Sequence, residues 1–243
     1  MRLPARLIAK LTRARIAQAL QASPARSFIQ HIDAAEILHP GTAAPVSHEK
    51  LQSILQSALP MVWIGGSEPL IHPGIGHFVR AIARSGHCIF LETNGTLLRR
   101  RIHEFQPLPQ VFLVVRLSGE RASEFDLAVE GLRAARLSGF FTVVHSLVGR
   151  TSKLPELART REFLAELRID GWLITAESAD PGTIRNAAEA RSHLLTKPWR
   201  WFSRRIEREL LAHPSRTDEW SVSSAQEPDA SREETCEESV KAI

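Results

Sequence analysis

Residues 61–73, Met-Val-Trp-Ile-Gly-Gly-Ser-Glu-Pro-Leu-Ile-His-Pro, decide how this chain is read. The apolar run Met61–Ile64 stops at a glycine pair, and polar residues and a proline follow at once. A short run with no polar alternation is the pattern of a strand buried on both faces, as in a parallel sheet covered by helices. Binding sites in α/β proteins lie where such strands end. The pattern returns at residues 88–98, CIFLETNGTLL, where an apolar run gives way to Glu92-Thr93-Asn94-Gly95.

Outward from these two stretches the same alternation continues. Strands are expected at Ser27–Ile32, Met61–Ile64, Cys88–Leu91, Val111–Leu117, Phe140–Val148 and Gly171–Thr175. Helices are expected at Ser47–Leu59, Ile75–Ser85, Ser123–Ser138 and Leu154–Leu167, with a short helical piece at Leu97–Phe105. Ser47 is placed to cap the first of these, and Gly139 to end the one before Phe140. Strands begin near residues 28, 61, 87, 111, 140 and 171, so 24–33 residues separate successive starts, the length of a βα unit. Right-handed crossovers then leave two α/β architectures: a partial barrel, or an open doubly wound sheet.

The flanks differ from this body. The first 26 residues hold six Lys/Arg and no acid, and residues 5–22 have helical spacing; a packed helix, a membrane-surface helix and an anion-binding arm all fit. Residues 181–213 read as a helical segment containing Lys197-Pro-Trp-Arg-Trp-Phe-Ser-Arg-Arg205. Such a segment can stack on nucleic acid, but more often forms the apolar seam of a last helix packed on a barrel. Residues 214–243 carry eight acids and three bases with few large apolar residues, the composition of a disordered tail. The overall charge of +4 therefore conceals a basic body and an acidic end. The expected organisation is a basic helix over 1–26, a barrel domain over 27–180, the helical segment and the tail. The only cysteines, Cys88 and Cys236, argue against a disulfide framework and make the cytoplasm the expected compartment. No run approaches the length of a membrane span.

Polar residues gather just past the expected strand ends: Gly65-Gly66-Ser67-Glu68, Glu92 to Gly95, Arg116 with Ser118, His145 with Ser146, and Thr175 with Glu177. On a barrel these share one face, the one that carries active sites. Paired glycines let backbone approach a ligand closely. Glu68 suits an ammonium group and would repel a phosphate, and the loop lacks the lysine of a phosphate-binding loop. Glu92, His145 and Glu177 are candidates for acid–base work. His31 and His39 lack an evident third ligand, so no metal site is expected.

At these residues the chain resembles a known family. Gly65-Gly66-Ser67-Glu68-Pro69-Leu70 resembles the GGEP motif of radical S-adenosylmethionine (radical SAM) enzymes, with Ser67 as an extra residue. Thr93-Asn94-Gly95-Thr96-Leu97-Leu98 is similar to that family's TNGTLL segment. Ala128–Leu132, Gly139-Phe140 and Leu154–Leu157 are similar to its middle βα units, so the likeness spans roughly residues 28–178. It implies a partial (β/α)6 TIM-like barrel of the radical SAM type. It also implies that Gly65, Gly66 and Glu68, with Ser67 in the same loop, hold the amino group of S-adenosylmethionine. Asn94, Ser118 and Ser146 are further candidates for contacts to its ribose or carboxylate.

One part of the pattern is missing. The family binds a 4Fe–4S cluster through CxxxCxxC after the first strand, and here Asp33–Pro45 contains no cysteine; the matching positions fall near Leu38, Thr42 and Pro45. Thiolates are the usual cluster ligands. The cluster is therefore not expected, and a pseudoenzyme that still binds S-adenosylmethionine, or assists an active relative as a protein partner, is the leading expectation. The alternatives are a non-radical enzyme using Glu68, Glu92, His145 and Glu177, and a basic module for nucleic acid, a membrane surface or an acidic protein.

Overall fold

The structure, a computed structural model, describes residues 29–36, 48–117, 122–197, 199–200 and 202–203. The basic N-terminal segment, Ser47, Ser118 and the acidic tail, as well as most of the loop after the first strand, lie outside the described residues. Six strands are present: β1 (Ile29–Asp33), β2 (Met61–Gly65), β3 (Cys88–Thr93), β4 (Val111–Arg116), β5 (Phe141–Val148) and β6 (Gly171–Ala176). Between and after them lie α1 (His48–Gln56), α2 (Ile75–Arg84), α3 (Leu98–Arg101), α4 (Ala122–Leu137), α5 (Leu154–Glu166) and α6 (Pro181–Leu194). Each neighbouring strand pair is parallel, and the sheet order is the chain order, β1 to β6. A doubly wound sheet requires that order to reverse at a switch point, and here it never does. The sheet instead curls into a half-barrel, a partial (β/α)6 barrel with helices outside.

Alternation along the strands sorts the core into two layers. Ile64, Leu91, Leu113, Val144 and Ile174 face outward and pack under Ile75, Phe78, Ile82, Leu132 and Leu164 of the helices. Trp63, Phe90, Phe112, Val143 and Leu173 face inward and fill the bore. Both faces being covered, every residue of β3 and β6 is buried, which is why these strands read as continuous apolar runs.

Register supplies the bore with an aromatic row. His31 pairs with Trp63, Trp63 with Phe90, Phe90 with Phe112, and Phe112 with Phe141. Trp63 stacks on Phe90 at 5.4 Å and Phe90 on Phe112 at 4.9 Å between ring centroids. Phe202, from the segment after α6, closes the row 5.4 Å from Phe141 and 5.9 Å from Phe112. Trp199 meets Trp172 edge to face at 5.7 Å, and its indole N–H donates to the Ile169 carbonyl at 3.2 Å. Trp199 and Phe202 are both buried, so they form the apolar seam of a packed segment and offer no face to a nucleic-acid base.

The last helix begins at Pro181, the expected start of the helical segment. Asp180 accepts a hydrogen bond from the Thr183 N–H at 3.0 Å, with Pro181 in the first turn. An Asp-Pro start combines an N-cap oxygen with a proline whose missing N–H costs nothing there. Among the described residues no helix is long and apolar enough to cross a membrane.

Candidate functional site

The loop after β2 is tied to three neighbouring segments. Asp33, the last residue of β1, accepts through Oδ1 from the N–H of Ala35 at 2.8 Å and of Ser67 at 3.2 Å. Gly66 has φ +80, and a Cβ there would lie 2.7 Å from Asp33 Cγ and Oδ2. The second glycine of the pair is thus required twice over, by its left-handed backbone and by the carboxylate against it.

Glu68 is committed to the fold. Its Oε1 accepts from the Leu70 N–H at 3.0 Å and from the Thr93 hydroxyl at 2.7 Å, and its Oε2 from the Asn94 N–H at 2.7 Å. These bonds cap the 3₁₀ turn Pro69–Ile71 and fasten it to the end of β3. Three donors already face this carboxylate, leaving it little capacity to receive an ammonium. Beyond the turn, Arg101 donates to the carbonyls of Leu70, His72 (2.8 Å) and Pro73 (3.2 Å) while paired with Glu104. Burial, and then the Arg101 charge, hold the His72 imidazole below its ordinary pKa; its Nδ1 accepts from the Gly74 N–H at 2.9 Å.

What remains available on the loop is backbone. Among the described residues the carbonyls of Gly66 and Ser67 accept no hydrogen bond, and Asp33 Oδ2 lies 2.7 Å from where a Gly66 Cβ would stand. Asn94 is exposed just past β3, where its Oδ1 accepts from the Thr96 N–H at 3.0 Å and the Thr96 hydroxyl at 2.8 Å.

The other candidates separate by strand face. Glu92 and His145 point into the bore, where His145 Nδ1 lies 2.7 Å from Glu92 Oε1. Burial alone would push the Glu92 carboxyl up, but hydrogen bonds from His145 and Trp63 and the charges of His145 and Arg116 outweigh it and hold the group below its usual value. Ser146 lies on the opposite face, toward the helices, with its hydroxyl accepting from the Trp172 indole at 3.0 Å. Glu177 is exposed past β6, its carboxylate beside Gly149. Glu68, Glu92 and Glu177 have no hydrogen-bond partner in common.

Two participants escaped the sequence reading. In sequence Asp33 stands only as the first residue after the expected strand, with nothing local to mark its partner in the loop after β2. Thr93 belongs to the polar group after β3, but its role is not evident there: its hydroxyl both donates to Glu68 and accepts from the Gly95 N–H at 3.0 Å.

Cys88 is buried in the bore, and burial pushes its thiol far up, which disfavours the thiolate that iron requires. Among the described residues no group of three His, Cys, Asp or Glu side chains is placed to hold a metal ion.

Comparison with solved structures identifies the architecture. SuiB of Streptococcus suis bound to precursor peptide SuiA matches with a TM-score of 0.50 and 14% identity over 72% of this chain and 46% of that one. SuiB bound to S-adenosylmethionine gives 0.47 and 14%, covering 57% and 35%. Archaeal TYW1 gives 0.38 and 17%, covering 52% and 45%. The chain spans about a third to just under half the length of these structures. No protein-family profile matches the sequence, and no curated protein does. The fold is thus the partial barrel of the radical SAM type. The stretch Asp33–Pro45 after β1 contains no cysteine.

Proposed function

We propose that this chain binds S-adenosylmethionine, or a nucleoside bearing the same amino-acid group, on the loop after β2, and that it does so without an iron–sulfur cluster. The observation that carries this reading is the loop itself. Asp33, Glu68, Thr93 and Arg101 fix its backbone, while the Gly66 and Ser67 carbonyls remain available to accept from an α-ammonium. An ammonium brings three donors and a positive charge; two carbonyls can accept from it, and the Asp33 carboxylate, hydrogen-bonded to the Ser67 N–H, places a negative charge in the same loop. Gly65, Gly66 and Ser67 supply the contact in this reading, and Glu68 holds them in place; Asn94 lies at the rim for a second polar contact. When bound, S-adenosylmethionine supplies an electrophilic sulfonium. Its reductive cleavage needs an electron donor for which this chain provides no thiolate set. The chain therefore suits a pseudoenzyme role, including that of a protein partner to an active relative.

Calorimetric titration with S-adenosylmethionine tests the ligand. Saturable binding that Glu68→Gln preserves and Asp33→Ala weakens is expected, and absence of any binding by the folded protein overturns the reading. Anaerobic reconstitution with iron and sulfide tests the cluster. No stoichiometric cluster absorbance is expected; a full signal that survives replacement of Cys88 and Cys236 overturns the cluster-free form. An acid–base enzyme built on several carboxylates is not favoured, because those side chains do not converge.

A further inference from the structure

Beneath the mouth of the barrel runs a buried chain of hydrogen bonds that ligand binding by the loop does not use. The Trp63 indole N–H donates to Glu92 Oε2 at 3.2 Å. Glu92 Oε1 lies 2.7 Å from His145 Nδ1, and His145 Nε2 lies 2.7 Å from Thr175 Oγ1. Glu92, His145 and Thr175 are only 2%, 6% and 4% exposed. They come from β3, β5 and β6, each from the half of its strand nearest the mouth.

The donor inventory fixes the direction of the chain. An ionised carboxylate only accepts, so the proton between Glu92 and His145 belongs on Nδ1. In the neutral imidazole Nε2 is then an acceptor, and the Thr175 hydroxyl donates to it. A hydroxyl donating in one direction keeps lone pairs for a donor on its other side. Thr175 is next to last in β6, at the C-terminal end of the strand. Carboxylate, imidazole and hydroxyl in that sequence form the arrangement that moves a proton through an oriented base.

We propose that Glu92, His145 and Thr175 form a proton relay serving a small molecule with a dissociable O–H, N–H or S–H group at the barrel mouth. The ligand's X–H bond breaks and its electron pair stays on X. The proton passes to Thr175 Oγ1 as the threonine's own proton passes to His145 Nε2. Nothing is oxidised or reduced, and the imidazolium so formed is offset by the Glu92 carboxylate. Glu92 is a positioning residue in this scheme, holding the tautomer. The groups around His145 agree with it. Glu92 and Trp63 approach from β3 and β2, Arg116 is its register neighbour on β4, and Leu173 and Thr175 flank it on β6. The Arg116 charge acts on Glu92, and the His31 ring lies 6.3 Å from the Trp63 ring.

Imidazole nitrogen NMR on the full-length protein tests the relay, and no part of it uses S-adenosylmethionine, so the relay and the ligand reading fail separately. His145 is expected to carry its proton on Nδ1 with Nε2 bare. The opposite tautomer, with Nε2–H donating to Thr175, overturns the proposal. The same spectra follow exchange of the His145 ring proton with water. Thr175→Val should slow that exchange at least tenfold while thermal unfolding stays cooperative, and Thr175→Ser should restore it. Exchange unchanged in the folded Thr175→Val protein means the proton enters by another way and refutes the relay. A purely structural triad would lose stability on substitution without this change in exchange.

Discussion

Replacing Glu68 separates a residue that contacts ligand from one that builds the loop. Its carboxylate receives the Leu70 N–H, the Thr93 hydroxyl and the Asn94 N–H. Hydrogen bonds to a charged group contribute about 1.5–3 kcal/mol each when buried. Glu68 is half-buried and Asn94 is exposed, so water recovers part of this, and Glu68→Ala should cost about 2–4 kcal/mol in total. For a domain of this size that lowers the melting temperature by about 5–15 °C. Glu68→Gln is milder. The amide oxygen can retain Leu70 and Thr93 on one side, while its NH2 faces the Asn94 N–H and loses one bond, a cost of about 1–2 kcal/mol. Thermal unfolding followed by circular dichroism reads the stability difference, and calorimetry with S-adenosylmethionine reads affinity. If backbone carbonyls hold the ammonium, Glu68→Gln binds within about threefold of wild type, whereas a carboxylate acting as direct counter-ion would lose about 1.5–3 kcal/mol, some tenfold or more. A Glu68→Ala protein as stable as wild type would refute the structural role. A Glu68→Gln protein that is stable but unable to bind would return the contact to the side chain.

Three more outcomes follow from particular contacts. Gly66→Ala forces a Cβ into the Asp33 carboxylate at a backbone angle that alanine resists, so it should destabilise by about 2 kcal/mol or more, and Asp33→Ala in the same chain should recover part of that in a double-mutant cycle by thermal unfolding. The Cys88 thiol, buried and held protonated, should react with a disulfide reagent orders of magnitude more slowly in the native protein than in denaturant, measured in a Cys236→Ser background so that one thiol reports. Glu92 has a native pKa below its ordinary value of 4.5, so the native state binds fewer protons there than the unfolded chain. Its contribution is present above about pH 4.5 and is lost as the pH falls through the lower native value. Denaturant unfolding between about pH 6 and about pH 3 should therefore steepen in wild type relative to Glu92→Gln.

The strands were legible because parallel strands covered on both faces leave uninterrupted apolar runs, as in Met61–Ile64 and Val111–Val115. The choice between barrel and doubly wound sheet was not, since both have the same βα cadence and differ only in strand order. At the site, sequence placed Glu68 correctly in the loop but could not reveal its partners, which come from the end of β3. Ser146 shows the opposite limit. Its neighbours Val144 and Val148 belong to the helix-side layer, and the two-residue period puts Ser146 there as well, away from His145. The start of the last helix was legible too, since Asp180-Pro181 supplies a cap oxygen and a first-turn proline. The Glu92–His145–Thr175 diagonal depends on the stagger between three strands, which no single segment encodes.

The same stagger decides where a ligand can sit. The row from His31 through Trp63, Phe90 and Phe112 to Phe141, closed by Phe202, occupies the bore below Glu92 and His145 with rings in contact. These rings belong to the inner hydrophobic layer, so removing one opens a cavity at a cost of about 3–5 kcal/mol and weakens the domain before it creates a binding site. Ligand chemistry is thereby confined to the rim above the aromatic row. Two polar devices reach that rim from opposite sides of the sheet: the carbonyls after β2, fixed by Asp33 and Glu68, and the Thr175 hydroxyl at the end of β6, backed by His145. A molecule held by its amino group on the first would extend across the mouth toward the second. In the proposed reading, that placement asks nothing of the stretch after β1.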